Sequence, residues 1–164
     1  MYEKIKTKKQ IDALVAIAYS IWNEHFSSMF DKQTLAKIIK VAQSKKTIVK
    51  QISDNYQYFF INQNNKRIGY FAYKIDEEQR ELFLSKIYIQ VDQRGKGIGR
   101  KVLQYLEGLC FEYNLSKMTL TVYHKNTNSI KAYENWGFLS LGMIDRKFDN
   151  GLIFEDVKME KSFK

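Results

Sequence analysis

The chain has 164 residues, with no proline, one cysteine and two histidines. No function follows from the missing proline. A single thiol, Cys110, excludes an internal disulfide. Its place among Leu106, Leu109 and Tyr113 reads as core rather than as a nucleophile, because no histidine motif accompanies it. His25 and His124 with that one cysteine give no metal-ligand spacing, so no metal is expected. No apolar run approaches the ~18 residues of a membrane span. The opening Met1-Tyr2-Glu3-Lys4-Ile5-Lys6 lacks the apolar core of a secretory signal. A cytoplasmic location with no membrane partner is the expectation. The cations are dispersed from Lys4 to Lys164 with no block of five, and no helix-turn-helix pattern occurs, so nucleic acid is not an expected partner.

What is present describes a folded globule. Hydrophobic residues make up 45% and aromatics 15% of the chain, and its length fits one domain over residues 1–164. Lys and Arg number 27 against 18 Asp and Glu, a net +9 that attracts a polyanionic ligand.

The most informative stretch is 87–103. Ile87, Ile89 and Val91 close a buried strand, and Ile98, Val102, Leu106, Leu109 and Tyr113 then lie on one helix face. Between them Gly95, Gly97 and Gly99 alternate with Lys96 and Ile98. Glycine lets backbone N–H groups approach a ligand closely, and a following helix offers unpaired N–H groups and a positive dipole end. An anion belongs there. A P-loop needs glycine at 100, where Arg100 stands, and no Lys-Ser or Lys-Thr follows. A dinucleotide fold needs its third glycine at 100 or 102, where Arg100 and Val102 stand.

Around this stretch the pattern predicts a short strand at 2–7 and a helix through Ile11, Leu14, Val15, Ala18 and Trp22. Polar and aromatic residues at 23–31 interrupt it, before a second helix marked by Leu35, Ile38, Ile39 and Ala42. Strands at 56–62 and 67–75 flank Gln63-Asn64-Asn65-Lys66 as a hairpin, and a third strand runs from Leu82 to Val91. The helix 97–113 leads to a strand marked by Met118, Leu120 and Val122, parallel to the one before the loop. Asn126 or Thr127 caps a short helix that stops at Gly137 with Phe138 as its apolar partner. Strands at 139–148 and 152–160 turn at Asp149-Asn150-Gly151.

Two segments carry a family resemblance. Arg94-Gly95-Lys96-Gly97-Ile98-Gly99 resembles the pyrophosphate-binding pattern [QR]-x-x-G-x-[GA] of the GNAT superfamily of acyl-CoA N-acyltransferases. Asn126, Ser129, Ile130, Tyr133, Gly137 and Phe138 are similar to its N-x-x-[AS]-[IV]-x-x-Y-x-x-x-G-F signature. The fold this implies is α/β (α+β): a mixed, mostly antiparallel central sheet of about six or seven strands, splayed between two central parallel strands and flanked by about four helices.

The resemblance further implies acetyl-CoA as cosubstrate and an amine acceptor that attacks directly in a ternary complex. It places the pyrophosphate on the amides from Gly95 to Arg100, including Ile98 and Gly99, with Arg94 and Lys96 in support and Arg100 or Lys101 as further candidates that fit a solvated helix face equally well. The pantetheine lies along Ile89, Gln90 and Val91, with Asn126 and Ser129 among the cofactor contacts. Tyr133 is then the residue that protonates, or hydrogen-bonds to, the leaving sulfur. The base is not fixed by motif, and Glu24 is the candidate; Tyr88 fits either a site wall or the core. The run Leu82-Phe83-Leu84-Ser85-Lys86-Ile87-Tyr88-Ile89, with Trp22 and Phe26 upstream, is similar to bacterial polyamine acetyltransferases. A small amine or polyamine is therefore the expected acceptor, with Asp31, Glu24, Asp145 and Glu155 as candidate counter-charges. Acetylation of a protein N-terminus or lysine, and non-catalytic acyl-CoA binding, stay open. A homodimer is common in the family.

Overall fold

The computed structural model describes residues 1–163. Contacts divide the chain into two units, one of Met1–Tyr73 with Lys86–Gly99, the other of Lys74–Ser85 with Arg100–Lys164. Two strands, β3 (Lys66–Asp76) and β4 (Glu81–Ile89), run through both.

The first unit holds β1 (Tyr2–Lys4), α1 (Lys8–Phe26), α2 (Lys32–Ala42), α3 (Lys45–Ser53), β2 (Gln57–Gln63) and β3 (Lys66–Asp76) as far as Tyr73, with strand order β1-β2-β3-β4. Helix α1 starts at a capping box, in which Thr7 Oγ1 accepts from the Gln10 amide at 3.2 Å and Gln10 Oε1 accepts from the Thr7 amide at 2.9 Å. Leu14, Ala18, Ile21, Trp22 and Phe26 form its buried stripe. The helix therefore continues through Phe26, where the polar residues from Asn23 predicted an interruption. Trp22 and Phe26 lie one turn apart, and burying both keeps the chain helical until the bend at 27–31.

Helix α3 was not marked by the hydrophobic pattern, because Ile48 is its one buried residue. Its signal is local instead: Ser44 caps it by accepting from the Thr47 amide at 3.2 Å. The β2–β3 hairpin turns at Asn64 and Asn65, with φ of 49° and 60°, conformations that asparagine tolerates better than other residues with a Cβ. Glu3 ties β1 to this hairpin and to α1. Hydrogen bonds from Gln10, Arg67 and Asn62 hold its carboxyl down at about 2.

The second unit contains α4 (Ile98–Glu112) from Arg100 onward, β5 (Lys117–Tyr123), α5 (Thr127–Asn135), β6 (Leu139–Lys147) and β7 (Ile153–Ser162), with strand order β4-β5-β7-β6. The expected parallel pair is β4 with β5, in register from Glu81–Lys117 to Phe83–Thr119. From Lys117 to Tyr123, β5 pairs along its whole length with antiparallel β7. Val102, Leu106, Cys110, Met118, Leu120, Phe138 and Met159 form the core here. Burial, with the Glu107 charge adding to it, pushes the Cys110 thiol up to about 12, which suits a core residue and not a nucleophile. Strand β6 is an edge strand whose Leu139, Leu141 and Met143 are all more than half exposed.

Candidate active site

In the first unit the strand β4 ends where the sequence places the cofactor. The Gln90 amide donates to Ile68 O at 2.9 Å, so the polar groups of Gln90 face β3. Alternation along an extended chain turns those of Ile89 and Val91 to the other side. Two side chains engage them there. Arg94 Nε donates to Ile89 O at 2.8 Å, and the Val91 amide donates to Glu24 Oε2 at 3.2 Å. Glu24, exposed near the C-terminal end of α1, thus reaches the strand that the resemblance assigns to pantetheine.

Strand β4 ends at Ile89, two residues before the end predicted at Val91, and the chain makes a short 3₁₀ turn over Val91–Gln93 before it enters the glycine loop. Gly95 and Gly97 have φ of +73° and +75°, the left-handed region that side chains rarely adopt, and a Cβ built on either meets nothing within 4 Å. The loop is therefore open as well as bent, and α4 begins directly behind it at Ile98. Lys96 Nζ is 3.2 Å from Gln93 Oε1. Backbone donors at a helix start, beside two cations, with space in front of them, fit a pyrophosphate.

Beside this strand end lies a group of rings. Trp22 stacks obliquely on Phe26 and Tyr88, with centroids 5.0 and 4.9 Å away, and His25 lies 6.1 Å from Tyr88. Trp22 and Phe26 are buried, whereas Tyr88, His25 and Phe30 are only partly so. Tyr88, which the sequence left between wall and core, is packed on one side and accessible on the other. Burial, reinforced by the Arg94 charge, holds His25 down at about 4. The imidazole is therefore neutral at physiological pH. Because the unfolded chain takes up that proton near 6.5 and the folded chain only near 4, stability rises with pH across this window and is lost as pH falls through it. The melting temperature is expected to drop by several degrees between pH 7 and pH 4, and His25→Phe should flatten the upper part of that slope. A profile unchanged by the substitution would contradict the burial described here.

In the second unit the signature residues lie on α5. Asn126 occupies its N-cap position without a side-chain capping bond, Ser129 sits in the first turn, and Tyr133 in the last. The helix ends in a Schellman motif: the Phe138 amide donates to Tyr133 O and the Gly137 amide to Glu134 O, both at 3.0 Å. Gly137 has φ of +93°, as the stop at that position requires. The Tyr133 ring is held edge-on by Trp136 at 5.8 Å and by the buried Phe138 at 5.6 Å. Ring position at 133 is thus set by the helix terminus itself. Arg100 lies in the first turn of α4, within the second unit.

The acidic candidates separate. Asp31 caps α2, accepting from the Thr34 amide at 2.9 Å and its hydroxyl at 2.7 Å, and those bonds hold its carboxyl below the usual range. Asp145 and Glu155 are direct cross-strand neighbours on β6 and β7. Asp156, fully buried beside them, pairs with Arg146 at 2.8 Å. Among the described residues no group of three or more His, Cys, Asp or Glu could hold a metal ion. No helix among them is long and apolar enough to cross a membrane.

Sequence reasoning missed the polar chain behind the rings. Trp22 Nε1 donates to Tyr70 Oη at 2.8 Å, and Tyr70 Oη donates to Gln43 Oε1 at 2.7 Å. The only signal for it was polar side chains, Gln43 and Lys86, in apolar surroundings.

Residues 16–138 match the model of the Acetyltransferase (GNAT) family, and the chain belongs to that family. It is 28% identical over 74 residues to a probable spermine N(1)-acetyltransferase of Bacillus subtilis subsp. natto (strain BEST195), covering 44% of this chain and 49% of that one. The chain thus spans about half the length of this curated relative. Among solved structures, the PaiA N-acetyltransferase of Thermoplasma acidophilum in complex with coenzyme A superimposes with a TM-score of 0.77 at 19% identity, over 99% of both chains. The ribosomal-protein-S18-alanine N-acetyltransferase of Escherichia coli gives 0.70 at 20% identity, over 99% of this chain and 92% of that one.

Proposed function

We propose that this protein is an acetyl-CoA-dependent N-acetyltransferase acting on a small amine or polyamine. The observation that carries the reading is the loop at Gly95 and Gly97, bent into the left-handed region with open space before it, between a strand end and the start of α4. Family membership supports the reaction class, and the likeness to spermine acetyltransferase supports the acceptor. Acetyl-CoA supplies an activated acyl carbon. Its transfer forms an N–C bond, breaks a C–S bond, and removes two protons from the ammonium nitrogen, one before attack and one after, of which one ends on the sulfur and the other in solvent.

The chain's own groups divide these tasks. The amides from Gly95 to Arg100, with Ile98 and Gly99 between them, bind the diphosphate, aided by Arg94 and Lys96. Ile89, Gln90 and Val91 bind the pantetheine, with Asn126 and Ser129 as further contacts. Because Arg94 holds Ile89 O and Glu24 holds the Val91 amide, one or both must yield as the cofactor enters. Glu24 takes the ammonium proton. Tyr133 donates to the sulfur; with reference pKa values of about 10 for tyrosine and about 8.5 for a thiol, full transfer is uphill by about 2 kcal/mol, so it acts largely as a hydrogen-bond donor. An alkylammonium suits the exposed side of Tyr88, His25 and Phe30, since ring faces attract cations and the neutral imidazole does not repel them. The net charge of +9 opposes a polycation at long range, which makes this local surface the deciding feature.

A homodimer is part of the proposal, with support from the exposed Leu139, Leu141 and Met143 on the open edge of β6; sedimentation equilibrium reads it. The test of function is release of free thiol from acetyl-CoA against a panel of amines that includes spermidine, together with a peptide bearing a free N-terminus and a lysine. Turnover with small amines supports the reading, turnover with the peptide alone replaces the acceptor, and coenzyme A binding without thiol release from any member overturns catalysis.

A further inference from the structure

The rings beside β4 are held from behind by a buried hydrogen-bonded chain that the reaction itself does not use. Beyond Trp22, Tyr70 and Gln43, the chain continues through Gln43 Nε2 to Ala42 O at 2.7 Å. The same carbonyl accepts from Lys86 Nζ at 3.0 Å, which also donates to Gln51 Oε1 at 3.0 Å and to Tyr58 Oη at 2.6 Å. Tyr58 Oη closes the loop by donating to Gln51 Oε1. Tyr70 is 0% exposed, Gln43 1% and Lys86 7%.

Such a chain is an expensive way to fill a core. Each buried polar group costs about 1–3 kcal/mol unless its partner is in place, whereas phenylalanine at 70 and leucine at 43 would pack there without that demand. What hydrogen bonds add over apolar contact is direction. The bond at Nε1 fixes the rotation of the Trp22 indole, and the far end is anchored by an ammonium that uses all three of its protons. The two rings joined by that bond converge on one side chain: Tyr88 lies 4.9 Å from Trp22 and 5.7 Å from Tyr70, ring centre to ring centre. Tyr88 is itself only partly buried and immediately precedes Ile89.

We propose that Tyr70 and Gln43, neither of which reaches solvent, are positioning residues for the acceptor. They set the Trp22 indole, and through it the Tyr88 ring against which the amine packs. The inference rests on the reading of this aromatic face as the acceptor side of an N-acetyltransferase. It makes acceptor recognition depend on a hydroxyl with no access to the acceptor.

The test is Tyr70→Phe, which removes the hydroxyl and keeps the ring. The KM for the amine should rise about fivefold or more, the effect of leaving one buried donor or acceptor unmet, while the KM for acetyl-CoA stays within about twofold. In a Trp136→Phe background, where Trp22 is the remaining tryptophan, the same substitution should shift the emission of that indole. Should Tyr70→Phe not fold, Gln43→Met breaks the next link while keeping the Trp22 bond, and a smaller rise in the same constant is expected. An unchanged amine KM in a folded variant, or equal rises in both constants, overturns the inference and leaves the acetyltransferase reading intact. Wild-type protein that turns over no amine overturns both, and is recognised before any variant is made.

Discussion

Tyr133→Phe should lower kcat with the true acceptor by about a hundredfold, the lower end of what a positioned proton donor contributes. The fold should survive. The phenyl ring keeps its edge-on contacts with Trp136 and Phe138, and the Schellman bonds that end α5 are made by backbone atoms alone. The KM for acetyl-CoA should change little, because a donor to the departing sulfur matters most when charge develops there. The decrease should be largest with the least acidic leaving thiol. Stopped assays with matched circular dichroism measure this directly. Turnover equal to wild type would remove Tyr133 from the chemistry, leaving it a packing residue of the helix terminus.

Gly69→Ala should be the most damaging small substitution in the first unit. A Cβ at Gly69 falls 2.3 Å from Tyr88 O and 3.1 Å from Ile89 Cα. These are backbone atoms, which cannot swing aside as a side-chain tip does, so β3 and the end of β4 must part. Overpacking of this kind costs about 3 kcal/mol or more, enough to lower the melting temperature by about 6–12 °C in a chain of this size. Tyr88 and Ile89 lead into the glycine loop, so cofactor affinity should fall along with stability. By contrast, Gly108, on the helix with nothing within 4 Å of its would-be Cβ, should accept alanine and gain slightly from the better helix former. A Gly69→Ala protein as stable as wild type would show that the two strands do not approach as described.

The contrast between these two sites shows how much of the protein could be read from residues alone. The loop was legible because glycine at 95 and 97 has a physical reason independent of context, and the φ values bear it out. The stop of α5 was legible for the same reason: Gly137 and Phe138 form a local motif. The hairpins at Asn64-Asn65 and Asn150-Gly151 likewise declared themselves through turn chemistry. Gly69 did not. Its lack of a side chain matters only because another strand lies against it, and that neighbour comes from elsewhere in the sequence. Helix α3 was missed because one buried residue is too few to show a period, and the end of α1 was placed early because Asn23 and Glu24 look like loop residues when the burial of Phe26 is unknown. The network of Tyr70, Gln43, Lys86 and Tyr58 joins β3, the C-terminal cap of α2, β4 and β2. A spacing rule within one element cannot find such a set.

The same limit explains Glu24. As a lone carboxylate after an amphipathic stretch it was a candidate by type, and only the fold brings it to the Val91 amide. That contact and the Arg94 bond to Ile89 are the features that cofactor binding must rearrange. They connect the proposed base to the strand on which the pantetheine is expected to lie.

The central claim, that the loop amides grip a diphosphate, is tested most directly by calorimetric titration with coenzyme A, its 3′-dephospho form and pantetheine. Dephospho-coenzyme A, which retains the diphosphate, should bind within about tenfold of coenzyme A. Pantetheine, which lacks it, should bind about a hundredfold more weakly, the worth of two charge-assisted hydrogen bonds. Equal affinity for pantetheine and coenzyme A, or no uptake of any of the three, would contradict the account.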